Sequence, residues 1–361
     1  HDVDDVALTT DGRYLAWLTN EGGYSKLHAV DRESGARVAT PQLPAGVYGI
    51  GFARSAPVLS IRVTAPAVPG DVYAWTVNNG TLSHPVRSTL GGLDSATFVA
   101  PTSVTFPARD GVTVQGLLYM PTVEGDERVP VVIDVHGGPT AQARPTFAAT
   151  TQYLVNKGIA VFDINVRGST GFGKTYARLD NQEKRLDSVR DLVDAVAFLR
   201  RDPRLNADRV AVMGGSYGGY MVNAVVGAYP DVFAAGASFV GVSDWVRALE
   251  EASPGLKASD RIEYGDITEP RWQKFYKENS PINNAHRIKV PMFFSHGVND
   301  PRDPVTESDR IVKTIRDNGG EVTYLRFPDE GHSISKQPNR VAFNRALAAF
   351  LEANLSDANA P

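Results

Sequence analysis

The sequence predicts an α/β chain: a doubly wound, mostly parallel sheet, preceded by a short all-β segment that reads as part of a β-propeller. Three observations predict it. From about residue 100, apolar strand candidates alternate with helical stretches, the pattern of a parallel sheet covered on both faces. Before residue 100, short β-prone runs alternate with turn signals every 8–12 residues or so, as in all-β domains. The chain has 361 residues, beyond the size at which a single core usually stops growing, so two domains are expected. We place the division between 1–98 and 99–361.

In the all-β segment the β-prone runs are 13–18, 26–30, 49–52, 58–63 and 72–77, separated by Asp11-Gly12, Gly22-Gly23, Ser34-Gly35 and Asn79-Gly80. The stretches 7–40 and 47–84 resemble each other, and each has the length of one four-stranded blade, on the order of 40 residues. Two blades do not close a ring, so the segment reads as the end of a longer propeller. Open sheet edges are sticky unless covered. The expectation is therefore that the remaining propeller accompanies this chain or that the chain self-associates. The first residue is His1, with no signal-like apolar stretch after it, which points to a segment removed upstream.

In the α/β segment the strand candidates are 112–119, 129–135, 159–164, 210–213, 234–240, 290–294 and 322–327. Helical periodicity marks 188–200, where Val189, Leu192, Val193, Val196 and Leu199 share a face, and 341–355, with Phe343, Leu347, Phe350 and Leu351. A net charge of -4 on this length gives no nucleic-acid footprint. No apolar run reaches the roughly 20 residues that span a bilayer. The chain reads as soluble, of the cytoplasm or the periplasm. Cysteine is absent, which removes disulfides, thiolate ligands and cysteine nucleophiles together.

The run 209–213 leads straight into Gly214-Gly215-Ser216-Tyr217-Gly218-Gly219-Tyr220, followed by a helical 221–228. This is G-x-S-x-G between a strand and a helix, the setting of the nucleophile elbow of α/β-hydrolase folds. Serine on such a turn stands clear of the sheet, and neighbours bearing a Cβ would clash. The helix start aims N–H groups at negative charge forming beside the serine. A phosphate loop is the competing reading, but no G-x-x-x-x-G-K-[ST] occurs, and Gly168, Gly171 and Gly173 lack dinucleotide spacing.

A serine hydroxyl needs a base, and in this fold the acid and then the histidine follow the nucleophile. Beyond Ser216 stand His286, His296 and His332. His286 lies in a polar stretch and reads as an exposed surface residue. His296 follows a strand and precedes Gly297, a strand-end turn position. His332, in Asp329-Glu330-Gly331-His332, lies between the last strand and the last helix, where a loop brings an imidazole over the elbow. His332 is the candidate base. Asp300 leaves the C-terminal end of a core strand, the edge that carries chemistry in open α/β sheets, and is the candidate acid. Asp303 sits further out and reads as a solvated loop carboxylate, while Asp329 is too near His332 on one loop. The strand 129–135 ends in His136-Gly137-Gly138-Pro139. There Gly137 and Gly138 offer an oxyanion N–H to complement that of Tyr217, and His136 reads as structural.

These stretches resemble the prolyl oligopeptidase family of serine peptidases, in its acylaminoacyl-peptidase and dipeptidyl-aminopeptidase branches. The resemblance rests on "DVHGGPT", "DINVRGSTGFGKTY", "GGSYGGYM", "SHGVNDPRDPV" and "PDEGHS", which span most of residues 100–350. It implies a propeller capping a hydrolase domain, with Ser216, Asp300 and His332 as the triad. It also implies that Tyr217, Val242 and Trp245 line the pocket for the residue before the scissile bond, and that Arg302 contacts the next carbonyl upstream. A surface salt bridge is the competing reading of Arg302. Where many relatives have Val-Pro after that arginine, this chain has Asp303-Pro304, a charge near the cleft. The resemblance implies that members trimming dipeptides read the free amino terminus with paired glutamates of the propeller; Glu250 and Glu251 are adjacent but lie in the hydrolase domain, where a solvated helix end explains them equally well. The implied activity is hydrolysis of short peptides through an acyl-enzyme, of aminoacyl, acylaminoacyl or dipeptidyl type, without metal or organic cofactor. An esterase on the same scaffold is the alternative, since a triad alone does not choose amide over ester.

Overall fold

A computed structural model of the chain describes residues 1–123 and 127–355. Its first part holds two antiparallel sheets. β1 (Asp2–Leu8), β2 (Tyr14–Glu21) and β3 (Tyr24–Asp31) form one; β4 (Val47–Phe52), β5 (Val58–Ala65), β6 (Val68–Thr76) and β7 (Thr81–Val86) form the other. Alternation drives their packing. In β2 every second residue is buried, and Ala16 and Leu18 meet Leu59, Ile61, Val63 and Trp75 of the other sheet in one apolar cluster.

The first sheet departs from the expected four-stranded blade. It has three strands, and its fourth place is reduced to a single bridge between Val30 and Arg37. β1 also starts ahead of the expected repeat, and three aspartates among its seven residues mask its strand character in the sequence.

The second part is an eight-stranded sheet in the order β15-β14-β13-β12-β10-β11-β9-β8. Its strands are β8 (Thr102–Pro107), β9 (Thr113–Tyr119), β10 (Val129–Val135), β11 (Ala160–Asn165), β12 (Leu205–Gly215), β13 (Ala235–Phe239), β14 (Met292–Gly297) and β15 (Val322–Phe327). β10 through β15 pair in parallel, and β8 and β9 extend one edge antiparallel.

Helices cover both faces: α1 (Ala149–Asn156), the one-turn α2 (Gly173–Tyr176), α3 (Arg185–Leu199), α4 (Tyr217–Ala228), α5 (Trp245–Glu251), α6 (Pro254–Tyr264), α7 (Pro270–Asn279), α8 (Thr306–Asp317) and α9 (Gln337–Leu355). The buried strands read as apolar runs because both faces are covered. One face packs Ile133, Val212 and Phe294 toward α3, α4 and α8, while the other packs Val132, Met213 and Phe293 toward α1 and α9.

The chain runs from β10 to β11 on one side, then returns to β12 on the other side of β10. The strand order therefore reverses between β10 and β12, and the crevice at such a switch point is where open α/β sheets place ligands. Among the described residues no helix is long and apolar enough to cross a membrane.

Candidate active site

Ser216 stands in that crevice, between the end of β12 and the first residue of α4. It holds φ 57° and ψ -119°, a conformation that costs a non-glycine residue on the order of 1–3 kcal/mol and persists only when its surroundings impose it. Here the Ser216 N–H donates to the Phe239 carbonyl (2.8 Å), and its own carbonyl accepts from Tyr220 N–H (3.0 Å). The two glycines of the motif are steric requirements. A Cβ on Gly218 would lie 1.9 Å from the Val135 oxygen, and one on Gly214 would lie 2.7 Å from both Val135 O and the Gly218 carbonyl carbon. The strand and helix thus close on each other, and helix α4 starts four residues earlier than its apolar pattern suggests.

His332 Nε2 lies 3.0 Å from Ser216 Oγ, and His332 Nδ1 lies 2.7 Å from Asp300 Oδ2. The structure therefore brings together all three residues of the expected nucleophile, base and acid. Asp300 Oδ1 accepts the N–H groups of Arg302 (2.8 Å) and Asp303 (3.1 Å). Burial alone would raise the Asp300 carboxyl. The two histidines beside it and these N–H donors outweigh burial and hold it below the ordinary carboxylate range. An ionised Asp300 fixes Nδ1–H on His332 and leaves Nε2 to accept the Ser216 proton.

Two expectations are corrected here. His296 is no turn residue: it is the fifth residue of β14 and only 1% exposed. Its Nδ1 meets Ser308 Oγ and its Nε2 meets the Asp303 carbonyl, both at 2.8 Å, while Nε2 also stands 3.5 Å from Asp300 Oδ2. It braces the loop that presents Asp300. Asp303 is no solvated carboxylate either: its side chain is 18% exposed, and Oδ2 lies 3.7 Å from His332 Nδ1.

His286 is exposed, as expected. Asp329 pairs with Lys336 (2.6 Å), away from the imidazole. The loop bearing His332 is anchored by buried Glu330, which accepts from Ser335 N–H, Lys336 N–H and Asn339. Burial opposes its ionisation, but these donors hold its carboxyl down to about 2.

On the other side of Ser216, Gly137 passes so close that a Cβ on it would lie 3.4 Å from Ser216 Cβ, and Gly138 adopts φ +134°, a region that favours glycine. His136 shapes this loop. Burial disfavours its charged form; the neutral ring donates from Nδ1 to the Gly137 carbonyl (2.7 Å) and meets Ser169 Oγ at Nε2 (2.8 Å). Tyr217 opens α4, where the first N–H groups have no carbonyl one turn back.

Gly138, Ser216, Tyr217, Val242, Trp245, Tyr264, Arg302 and Asp303 line one small cavity of about 80 Å³. The three side chains expected as pocket walls and the arginine expected beside them thus share a space with the nucleophile. Arg302 is exposed at its mouth. Glu250 and Glu251 end α5 outside this cavity, with Glu251 paired to Arg247 (3.1 Å). A second cavity of about 380 Å³ opens on the far side, between His332 and Phe343 of α9.

Two supports of the small cavity carry no motif. Glu307 of α8 is buried and accepts from Ser243 N–H (2.8 Å), Ser243 Oγ (2.9 Å) and Asp244 N–H (2.8 Å), which fixes the turn between Val242 and Trp245. Behind the aromatic walls, buried Arg185 pairs with Asp180 (3.0 Å) and Glu263, and lies over the rings of Tyr217 and Tyr264. Among the described residues, no group of three or more His, Asp or Glu side chains is placed to hold a metal ion.

A sequence profile of the prolyl oligopeptidase family matches residues 145–358, more than half of the chain. The chain belongs to the prolyl oligopeptidase family. It is 35% identical to dipeptidyl aminopeptidase BIII of Pseudoxanthomonas mexicana, over 81% of this chain and 44% of that protein. It is 33% identical to dipeptidyl peptidase family member 6 of Caenorhabditis elegans, over 71% of this chain and 38% of that protein. Among solved structures, a puromycin-hydrolyzing peptidase of Mycobacterium tuberculosis superposes with a TM-score of 0.88 at 25% identity, over 97% of this chain and 54% of that one. The chain thus spans less than half the length of these curated relatives. Family membership and fold agree with the α/β-hydrolase and partial-propeller reading of the sequence.

Proposed function

We propose that this chain carries the serine peptidase centre of its family and hydrolyses short peptides through an acyl-enzyme. The observation that carries the proposal is the continuous relay from Ser216 Oγ through His332 to Asp300. In this reading His332 Nε2 takes the hydroxyl proton as Oγ attacks the scissile carbonyl carbon, and Asp300 stabilises the resulting imidazolium. The N–H groups of Tyr217 and of the Gly137-Gly138 loop receive the oxyanion. The imidazolium returns its proton to the departing amine, the C–N bond breaks, and the acyl group remains on Ser216. Water, activated by the same histidine, then releases the acid. Val242 and Trp245 contact the side chain before the scissile bond, and Arg302 contacts the next carbonyl upstream.

Ser216→Ala tests the assignment: turnover of aminoacyl and dipeptidyl anilides should fall on the order of 10⁴–10⁶-fold. Cleavage of short acyl esters with none of the anilides, by the unmodified chain, would replace peptidase with esterase.

The domain division at residue 98 and a covering partner for the blades belong to the same proposal. Val3, Val6 and Leu8 of β1, and Leu82 and Val86 of β7, are exposed apolar side chains on an edge strand of each sheet. Further blades, or a second copy of this chain, would cover them. Sedimentation of the purified chain should show a complex heavier than 39.0 kDa; a strict monomer at high concentration would refute this part.

A further inference from the structure

We propose that the cavity of about 380 Å³ beside His332 receives the departing part of the substrate, an amino acid or dipeptide whose free carboxylate pairs with Arg340. The site then favours peptides with a short, uncapped leaving end. The inference deepens the peptidase reading and rests on it.

Two cavities meet at the nucleophile. Among the described residues Ser216 is the one that lines both: Tyr217, Val242 and Trp245 stand on one side of it, and His332, Ile334 and Phe343 on the other. The two sides differ in chemistry. His332 Nε2, 3.0 Å from Ser216 Oγ, is the atom that protonates the departing nitrogen. A leaving amine must therefore stand within hydrogen-bond reach of that atom, and of these two cavities only the second is walled by His332. A strained turn keeps the sides apart. Val240 and Val242 flank Gly241 yet line different cavities. Val240 holds φ 44°, an outlier for a β-branched residue, at a cost on the order of 1–3 kcal/mol. Its N–H donates to the Ser295 carbonyl (3.0 Å), which holds it there.

Charge selects what the second cavity takes. The first is lined by Asp260, Arg302 and Asp303, which carry both signs. Among the described residues the second has no Asp, Glu or Lys in its wall, and Arg340, exposed on α9, is its one permanent charge. No carboxylate of the described residues pairs with Arg340. The two nearest before it along the chain are engaged elsewhere, Asp329 with Lys336 (2.6 Å) and Glu330 with Ser335 Oγ and Asn339 (both 2.8 Å). Phe239, Val240, Ile334 and Phe343 supply apolar walls. Such a cavity complements an apolar amino acid bearing a carboxylate, which a guanidinium holds through two parallel hydrogen bonds. Size limits the length. The volume is near the lower end of the roughly 300–1,000 Å³ of small-molecule sites, and each extended residue adds about 3.5 Å. One or two residues therefore fit beyond His332.

The acyl part of the test substrate is chosen first: the alanyl, acetylalanyl or alanylalanyl group whose p-nitroanilide the chain turns over fastest. That group is then joined to phenylalanine and to alanylphenylalanine, each as the free acid and as the amide, and kcat/KM is compared within each pair. The unmodified chain should favour the acid in at least one pair. Arg340→Gln should lower that acid-to-amide ratio by about 5–20-fold, between an exposed ion pair and a charged hydrogen bond, and Arg340→Lys should restore part of it. Raising salt from about 0.05 to 0.5 M should shrink the ratio in the unmodified chain and leave it unchanged in Arg340→Gln. An equal loss on acid and amide in Arg340→Gln would make the arginine structural and overturn the proposal. So would the absence of a preference for the acid in both pairs, or anilide turnover without cleavage of any of the four peptides. Ester turnover with none of the anilides or peptides cleaved would instead remove the peptidase reading, and this inference with it.

Discussion

Replacing Gly218 with alanine should separate the close approach at the elbow from any general tolerance of the loop. The added Cβ would sit 1.9 Å from the Val135 oxygen, and to reach even 3.0 Å it must retreat by about 1 Å. The obstacle is the backbone of β10, buried at the centre of the sheet, so the start of α4 must move instead. Overpacking of this kind costs about 1–3 kcal/mol. Ser216 immediately precedes α4, and its Oγ must remain 3.0 Å from His332 Nε2. A misplacement of about 1 Å at such a contact lowers the chemical step by about 10²-fold. Gly215→Ala is the control, because the nearest atom to its Cβ would be Phe239 O at an ordinary 4.0 Å. Anilide hydrolysis and thermal melting of both variants provide the measurements. Equal activity in Gly218→Ala and Gly215→Ala would refute the steric account of the motif.

Glu307→Ala would strip the acceptor from Ser243 and Asp244; unmatched buried donors cost about 1–3 kcal/mol. The melting temperature should fall and KM should rise at least about 10-fold as the turn bearing Val242 and Trp245 relaxes. Asp134 and Asp163 are register partners on β10 and β11. Burial, and for Asp163 also the neighbouring Asp134 carboxylate, raises both carboxyls above their ordinary range. A raised folded-state carboxyl contributes stability that is present below the ordinary carboxylate range and lost as pH rises beyond it. Asp134→Asn should therefore leave melting near pH 4 almost unchanged. At pH 8 it should raise it by a few degrees, about 2–4 °C for each kcal/mol of relieved repulsion.

Much of the site was legible because its parts follow short-range rules. A serine between a strand and a helix, flanked by obligatory glycines, is local chemistry, and Asp300 and His332 each stand in the loop after a strand, in the order the fold imposes. The apolar run Val129–Val135 matches its expected bounds, and so does the edge strand Val322–Phe327, marked by its β-branched and aromatic residues. β7 and β8 escaped notice because Thr81–Val86 is almost wholly exposed and Thr102–Pro107 lies at the sheet edge, so neither carries a clear apolar alternation. His296 and Glu307 were illegible for another reason. Their partners, Ser308 and Ser243, lie 12 and 64 residues away. A lone histidine after a strand or a glutamate opening a helix looks the same in sequence whether it faces solvent or a buried donor.

The same distinction between local and long-range placement bears on what the blades do. Directly after the Gly137-Gly138 loop the chain runs under the first sheet. Gln142 accepts from Asn20 Nδ2 (2.7 Å), and Arg144 pairs with Asp4 (2.7 Å) and donates to the Gly23 carbonyl (2.8 Å). Phe147 N–H reaches Thr64 Oγ1 of the second sheet (3.3 Å). The segment that follows the expected oxyanion donors is therefore held by the blades as well as by the sheet of the hydrolase. Arg144 is only 20% exposed at its side chain, so water does not substitute freely for these partners. In the mechanism proposed above, these contacts give the blades a second part, bracing the Gly137-Gly138 loop as well as admitting substrate. Loosening their contact should lower turnover of even the smallest anilide, which no size filter would exclude.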